Sequence, residues 1–184
     1  MMPETNPAIT VSPASATMLS SLSALDYSFR VDQEFVAVFD SPVSQNLKPV
    51  EIYEKHYFND PQQFSGYVDS IDSALFIARR QQQLLGYLAV SRNWNGLALV
   101  EDIAVDRPAR QAGCGRALMD AAVQWAREQN LSGLVLETQS NNVAACLFYE
   151  KYGFELAGID RALYRALNPQ RNEIALFWYL WLTV

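Results

Sequence analysis

Arg110-Gln111-Ala112-Gly113-Cys114-Gly115 is the stretch whose residue types and spacing point most clearly to chemistry. Gly113 and Gly115 let the backbone approach a ligand with no Cβ in the way, and the first turn of a helix has amides without intrahelical partners. Backbone of this kind binds anions, and a diphosphate is the natural candidate. Two nucleotide motifs fit poorly. A Walker loop needs Lys and then Ser or Thr after its last glycine, where Arg116 and Ala117 stand. A dinucleotide fingerprint needs a third glycine where Leu118 stands.

Such a loop needs a strand before it and a helix behind it. Leu97 to Val105 is an apolar strand candidate, followed by the turn Asp106-Arg107-Pro108-Ala109. Beyond Gly115, Leu118, Ala121, Ala122, Trp125 and Ala126 recur at the three- and four-residue spacing of one buried helix face. Leu131 to Thr138 reads as the next strand, with Gly133 weakening it locally. Asn141 or Asn142 can cap a helix over Val143 to Tyr152, which Gly153-Phe154 closes. Ala74 to Ala78 and Leu84 to Ser91 supply two further central strands, and Trp94-Asn95-Gly96 marks a turn.

The flanks are less regular. After a frayed start we expect a strand around Ile9 to Val11, a helix within Met18 to Tyr27, and a strand over Phe35 to Phe39. From Pro49 to Val68, Tyr53, Tyr57, Phe58, Phe64 and Tyr67 alternate with Glu51, Glu54, Asp60 and His56. This segment is expected to be a helix whose rings either pack on the sheet or, with Glu51, Glu54 and Tyr57, contact a polar cation. Glu155 to Leu167 and Glu173 to Thr183 read as two last strands separated by Asn168-Pro169-Gln170-Arg171. The final strand is too short to span a bilayer and too apolar for open surface, so it belongs in a sheet or in a contact between two copies.

The 184 residues suit one domain covering 1–184. Fourteen basic against twenty acidic side chains give a formal charge of −6. That balance disfavours nonspecific nucleic-acid binding and attracts a cationic substrate. A single histidine and two cysteines without paired spacing leave the common metal constellations unfilled, so no metal is expected. Cys114 and Cys146 are expected to be free thiols in a reducing, cytoplasmic setting. The first twenty residues carry no basic start followed by an apolar run, so neither a signal peptide nor a membrane span is expected.

Arg110 to Gly115 resembles the acetyl-CoA pyrophosphate loop of the Gcn5-related N-acetyltransferase (GNAT) superfamily. Leu136-Glu137-Thr138-Gln139, Asn142, Ala145 and Phe148-Tyr149-Glu150-Lys151-Tyr152-Gly153-Phe154 match the second half of that pattern. The resemblance implies an α/β (α+β) fold with a mixed, mostly antiparallel twisted sheet of six to seven strands, flanked by helices and splayed where acetyl-CoA binds. It places cofactor contacts at Ile103, Ala104, Val105, Arg110, Gln111, Ala112, Gly113, Cys114, Gly115, Arg116, Asn142, Ala145 and Tyr149. Tyr149 resembles the tyrosine that protonates the departing thiolate. Glu137 stands where a strand glutamate serves as base in relatives that acetylate protein N-termini, and Glu101 and Asp102 are its rivals. Strict alternation turns only one of those two toward the substrate, unless a bulge reassigns them.

A narrower likeness runs from Trp94 almost to the end. Trp94-Asn95, Val100-Glu101-Asp102-Ile103-Ala104-Val105, Leu136 to Cys146, Gly158-Ile159-Asp160, Asn172-Glu173-Ile174-Ala175 and Phe177-Trp178-Tyr179 resemble streptothricin (nourseothricin) N-acetyltransferases. That resemblance implies acetylation of an amino group in the antibiotic's β-lysine portion. It adds Trp94, Glu101, Asp102 and Glu137 to Glu51, Glu54 and Tyr57 as substrate contacts. Two other readings stand beside it: an acetyltransferase acting on peptide or protein amines, and a CoA-binding module without catalysis.

Overall fold

The computed structural model describes residues 7–57, 59–171 and 173–183. The expected frayed start at residues 1–6, Phe58 of the aromatic segment and Asn172 of the C-terminal pattern lie outside the described residues. Three strands form the centre of the sheet as an antiparallel meander: β4 (Ser73–Arg80), β5 (Gln83–Arg92) and β6 (Ala98–Val105). In chain order they are preceded by β1 (Ile9–Pro13), α1 (Leu19–Ser23), β2 (Phe29–Phe35) and β3 (Leu47–Lys55). After them come α2 (Cys114–Glu128), β7 (Gly133–Gln139), α3 (Val143–Tyr152), β8 (Glu155–Asp160) and β9 (Ala175–Trp181). The main sheet has seven strands in the order β1-β4-β5-β6-β7-β9-β8, and β2 and β3 form a separate pair.

Both faces of the central strands are covered, which explains why β5 is buried almost throughout. Alternate residues of β5 serve opposite cores. Leu88 and Val90 pack with Leu118, Met119 and Trp125 of α2, while Tyr87 and Ala89 pack with Leu19, Leu22 and Phe64. Every pairing in the seven-stranded sheet is antiparallel except β6 with β7, which α2 connects as a crossover. That parallel contact covers only Ala98–Leu134, Leu99–Val135 and Val100–Leu136. Beyond it the strands part, because β7 continues to Gln139 against β9 while β6 continues to Val105 against β5.

Several expected elements change length or kind. The helix within Met18 to Tyr27 is confined to Leu19–Ser23, since only Leu19 and Leu22 offer it a buried face. The strand expected over Phe35 to Phe39 lies earlier, at Phe29–Phe35. Its partner β3 begins only at Leu47, opposite Phe35, and Val36, Val38 and Phe39 are exposed. The segment carrying Glu51 and Glu54 is strand β3, paired with β2, and not a helix. β8 stops at Asp160 because its carboxylate accepts from the amides of Ala162 (2.7 Å) and Leu163 (3.1 Å), turning the chain. The apolar β9 is an interior strand between β7 and β8, so sheet pairing accounts for its composition. No helix among the described residues is long and apolar enough to cross a membrane.

Gly133, at the start of β7, permits a close approach to β9. A Cβ at this position would lie 2.3 Å from the carbonyl oxygen of Leu180, whereas one at Gly115 would make ordinary contacts with the Phe148 ring at 3.6 Å and Val105 at 4.0 Å. Gly133→Ala is therefore expected to lower unfolding free energy by about 1–3 kcal/mol, the usual cost of overpacking. Gly115→Ala should change it little. Urea titration of both variants checks this, and equal midpoints would contradict it.

Candidate active site

The glycine loop ends in the left-handed conformation that begins α2. Gly113 is the residue before the helix, at φ 88°, and Gln111 is also left-handed at φ 61°. The first helical bond runs from the Ala117 amide to the Gly113 carbonyl (3.0 Å), which leaves the amides of Cys114, Gly115 and Arg116 without intrahelical partners. They border a cavity of about 500 Å³ whose walls include Ile103, Val105, Gly113, Gly115, Ala145 and Tyr149. Arg110 also lines it, but its guanidinium is engaged with the protein itself. Its Nε donates to the Val105 carbonyl (3.1 Å) and its Nη1 to the Ser28 carbonyl (2.7 Å), tying the loop to β6 and to the start of β2. Arg116 lies over the Tyr152 ring at 5.4 Å. Ala112 is exposed and outside the lining.

A second cavity of about 370 Å³ shares Tyr57, Asn59, Ile103, Asn142 and Tyr149 with the first. Three carboxylates line it: Glu101, Asp102 and Glu137. Glu101 and Asp102 are adjacent, and a bulge lets both reach this wall. The β5–β6 register passes from Ala89–Asp102 to Val90–Val100 and leaves Glu101 as the extra residue. Glu101 Oε1 accepts from the Tyr67 and Ser91 hydroxyls, each at 2.6 Å. Asp102 accepts from Asn59 Nδ2 at 2.9 and 3.1 Å and from the Tyr87 hydroxyl. Burial raises its pKa against those donors.

Glu137 stands on β7 just past the point where β6 departs. Its Oε2 accepts from the Tyr164 hydroxyl (2.6 Å), while Oε1 is buried with no hydrogen-bond partner among the described residues. Burial raises the Glu137 pKa above the usual 4.5, and the Tyr164 bond and the nearby Lys55 charge offset part of that shift. Such a carboxylate is poised to take up a proton closer to neutrality. Lys55 pairs with Glu173 at 2.9 Å and also donates to Gln139 and Asn141, joining the end of β3 to β7 and to the segment before β9.

Tyr149 is brought to both cavities by α3. The Asn142 side chain caps that helix by accepting from the Ala145 amide (3.2 Å), and Gly153 ends it at φ 117°. The amides of Gly153 and Phe154 return to the Tyr149 carbonyl at 3.1 and 3.0 Å. Phe148, Phe154 and Trp178 surround the Tyr149 ring. Burial pushes its phenol far above the ordinary range, so it carries its proton at neutral pH. Cys114 and Cys146 are free and buried, their thiols pushed up to about 11 and about 12, which excludes a thiolate nucleophile at neutral pH.

The fold gathers Glu101, Asp102, Ile103, Glu137, Asn142, Tyr57 and Tyr149 around the acidic cavity, but it does not bring Glu51, Glu54 or Trp94 there. Glu51 is exposed on β3, and Glu54 forms an exposed ion pair with Arg107 (2.9 Å). Trp94 is 93% exposed in the β5–β6 turn. Asn59, Gln63 and Tyr164 line the cavity without having been singled out from sequence. Tyr164 lay in what read as a strand, and the aspartate two residues before Ala162, able to cap a turn, was the available signal against that reading.

The acetyltransferase (GNAT) family model matches residues 36–154. The chain belongs to the GNAT family and is an acetyltransferase. It is 42% identical over 127 residues to streptothricin acetyltransferase A of Bacillus subtilis strain 168, covering 69% of this chain and 72% of that one. Among solved structures, a Bacillus anthracis strain Ames protein named as a candidate streptothricin acetyltransferase, in complex with acetyl coenzyme A, superposes with a TM-score of 0.86. It is 35% identical and covers 95% of this chain and 100% of its own. A nourseothricin acetyltransferase superposes with a TM-score of 0.76 at 31% identity, covering 94% of this chain and 98% of its own.

In this acetyltransferase the Tyr164 hydroxyl is a donor that lowers the Glu137 pKa. Tyr164→Phe should therefore move the Glu137 titration to higher pH. Carbon-13 NMR of the Glu137 carboxyl reads this directly, and an unchanged titration would contradict the contact.

Proposed function

We propose that this enzyme transfers the acetyl group of acetyl-CoA to an amino group in the β-lysine portion of streptothricin-class antibiotics, inactivating them. The observation that carries the reading is the acidic cavity. Glu101, Asp102 and Glu137 line a space contiguous with the cleft at the start of α2, and their charge suits a guest with several ammonium groups. The named activities of the similar proteins support it.

The residues present suit acetyl-CoA. The amides of Cys114, Gly115 and Arg116 offer a diphosphate site, and the β6 edge from Ile103 to Val105, unpaired by β7, offers strand-like hydrogen bonds to a pantetheine arm. When bound, acetyl-CoA supplies an acyl carbon carrying a thiol leaving group, which a neutral amine attacks without an enzyme nucleophile. An alkylammonium has a pKa near ~10.4, so a base must first remove a proton. Glu137 takes that role, since burial raises its proton affinity and one of its oxygens has no hydrogen-bond partner among the described residues. The new bond joins amine nitrogen to acyl carbon as the carbon–sulfur bond breaks; Tyr149 gives a proton to the sulfur and is reprotonated by the second proton that the nitrogen sheds on becoming an amide. Glu101 meets the remaining positive charge of the guest, with the acidic Asp102 beside it held by Asn59 and Tyr87. Two buried free thiols suit a reducing compartment, and the reading places the enzyme in the cytoplasm.

The test is a panel of amines assayed for CoA release: streptothricin, free lysine, spermidine, an aminoglycoside and an unacetylated peptide, with mass-spectrometric fragmentation locating the acetyl group. Streptothricin should react fastest and gain one acetyl group on β-lysine. Faster turnover of the peptide would overturn the antibiotic assignment, and no acetylation of any amine would overturn the activity. With the acetylated amine, Glu137→Gln should lower turnover about 100-fold, within the range for positioned bases, and move the remaining rate to higher pH, where the amine deprotonates unaided. An unshifted pH profile would remove Glu137 from the base role.

A further inference from the structure

Asn59 lines both cavities and lies at their junction. Its Nδ2 donates to both oxygens of Asp102, at 3.1 and 2.9 Å, and the Tyr87 hydroxyl donates to the same carboxylate. A carboxylate accepts and cannot donate, so this contact fixes which way the amide faces: nitrogen toward Asp102, oxygen away from it. That oxygen, Oδ1, is buried with no hydrogen-bond partner among the described residues. Glu137 Oε1, on another wall of the same acidic cavity, is in the same condition. A buried acceptor without a donor raises the free energy of the site until a donor arrives, so these two atoms call for a guest bearing more than one polar hydrogen.

We infer that Asn59 is a specificity residue that reads the hydrogens of the acceptor ammonium and not only its charge. The inference rests on the amine-acetyltransferase reading above. A primary ammonium gives one N–H to Asn59 Oδ1 and another to Glu137 Oε1. An N,N-dimethylated ammonium carries the same charge with a single hydrogen and satisfies only one of the two. Asp102 is a positioning residue for Asn59: its two oxygens accept from the amide nitrogen and thereby turn the amide oxygen away from it. This assigns different work to the neighbouring carboxylates of the bulge. Glu101, exposed and held by Tyr67 and Ser91, meets the guest as a charge, while Asp102 acts through the amide in front of it.

The test uses the primary amine that the panel shows to be acetylated, together with its derivative dimethylated at the same nitrogen, which cannot be acetylated to an amide. Titration calorimetry with CoA present gives both dissociation constants. The unmodified enzyme should bind the primary ammonium about 10-fold or more tightly than the dimethylated one, as expected for a hydrogen bond involving a charged group. Asn59→Ala should weaken the primary amine about 10-fold and leave the dimethylated one within about 2-fold. Equal affinities in the unmodified enzyme would overturn the inference, and this comparison stands even if the variant does not fold. Equal weakening of both ligands by Asn59→Ala would reduce Asn59 to loop support and also overturn it. If an amine is acetylated but no N–H preference is found, this inference alone falls; if no amine is acetylated, it falls together with the proposed function.

Discussion

The structure depends on a parallel strand pairing that stops early. β6 and β7 share only three residue pairs, and after Val100 and Leu136 each follows its other neighbour. Backbone donors and acceptors left without a ladder partner must find one elsewhere, so the open edge of β6 is a template for an extended ligand. The same divergence separates Glu101 and Asp102 from Glu137 by a cavity and makes room for Tyr149 at its border. Had the pairing continued, neither the cleft nor the acidic cavity would exist. The tight packing behind it, with Gly133 against the Leu180 backbone, keeps β7 aligned with β9 while β6 leaves.

The acidic cavity sets charge against burial. Desolvation raises the pKa of both Asp102 and Glu137, and each is held in place by tyrosine hydroxyls: Tyr87 for Asp102 and Tyr164 for Glu137. A phenol is a suitable partner because it donates a hydrogen bond without bringing a positive charge that would compete with a cationic guest. Lys55, a partly buried cation close by, is committed to Glu173, Gln139 and Asn141 and so braces the wall. Burial among Phe148, Phe154 and Trp178 keeps the Tyr149 phenol neutral at the border of this cavity.

Much of this was legible where local chemistry fixes local structure. Gly113, Asn142 and Gly153 each carry a backbone or capping requirement that few other residues meet, and they mark the ends of α2 and α3. The apolar run of β9 declared a buried strand. The bulge that brings Glu101 and Asp102 to one wall was open as an alternative from the sequence, and the β5 register decides it. The β2–β3 pair was misread because its strands are defined by pairing with each other across the irregular connection 36–46, which carries no hairpin signal, so Glu51 and Glu54 fell on an exposed ribbon and not beside the acidic cavity. Asn59 and Tyr164 come from irregular segments whose placement follows from tertiary contacts with Asp102 and Glu137, and no periodicity reports such contacts. Trp94 shows the converse: a likeness in sequence lies in a turn away from the cavities.

The most direct test of the central claim is a crystal structure of this protein with CoA bound. The diphosphate is expected on the amides of Cys114, Gly115 and Arg116, with the pantetheine arm along Ile103 to Val105 and the thiol end beside Tyr149. CoA bound elsewhere, or β6 and β7 paired beyond Val100 and Leu136 with the arm excluded, would contradict the account.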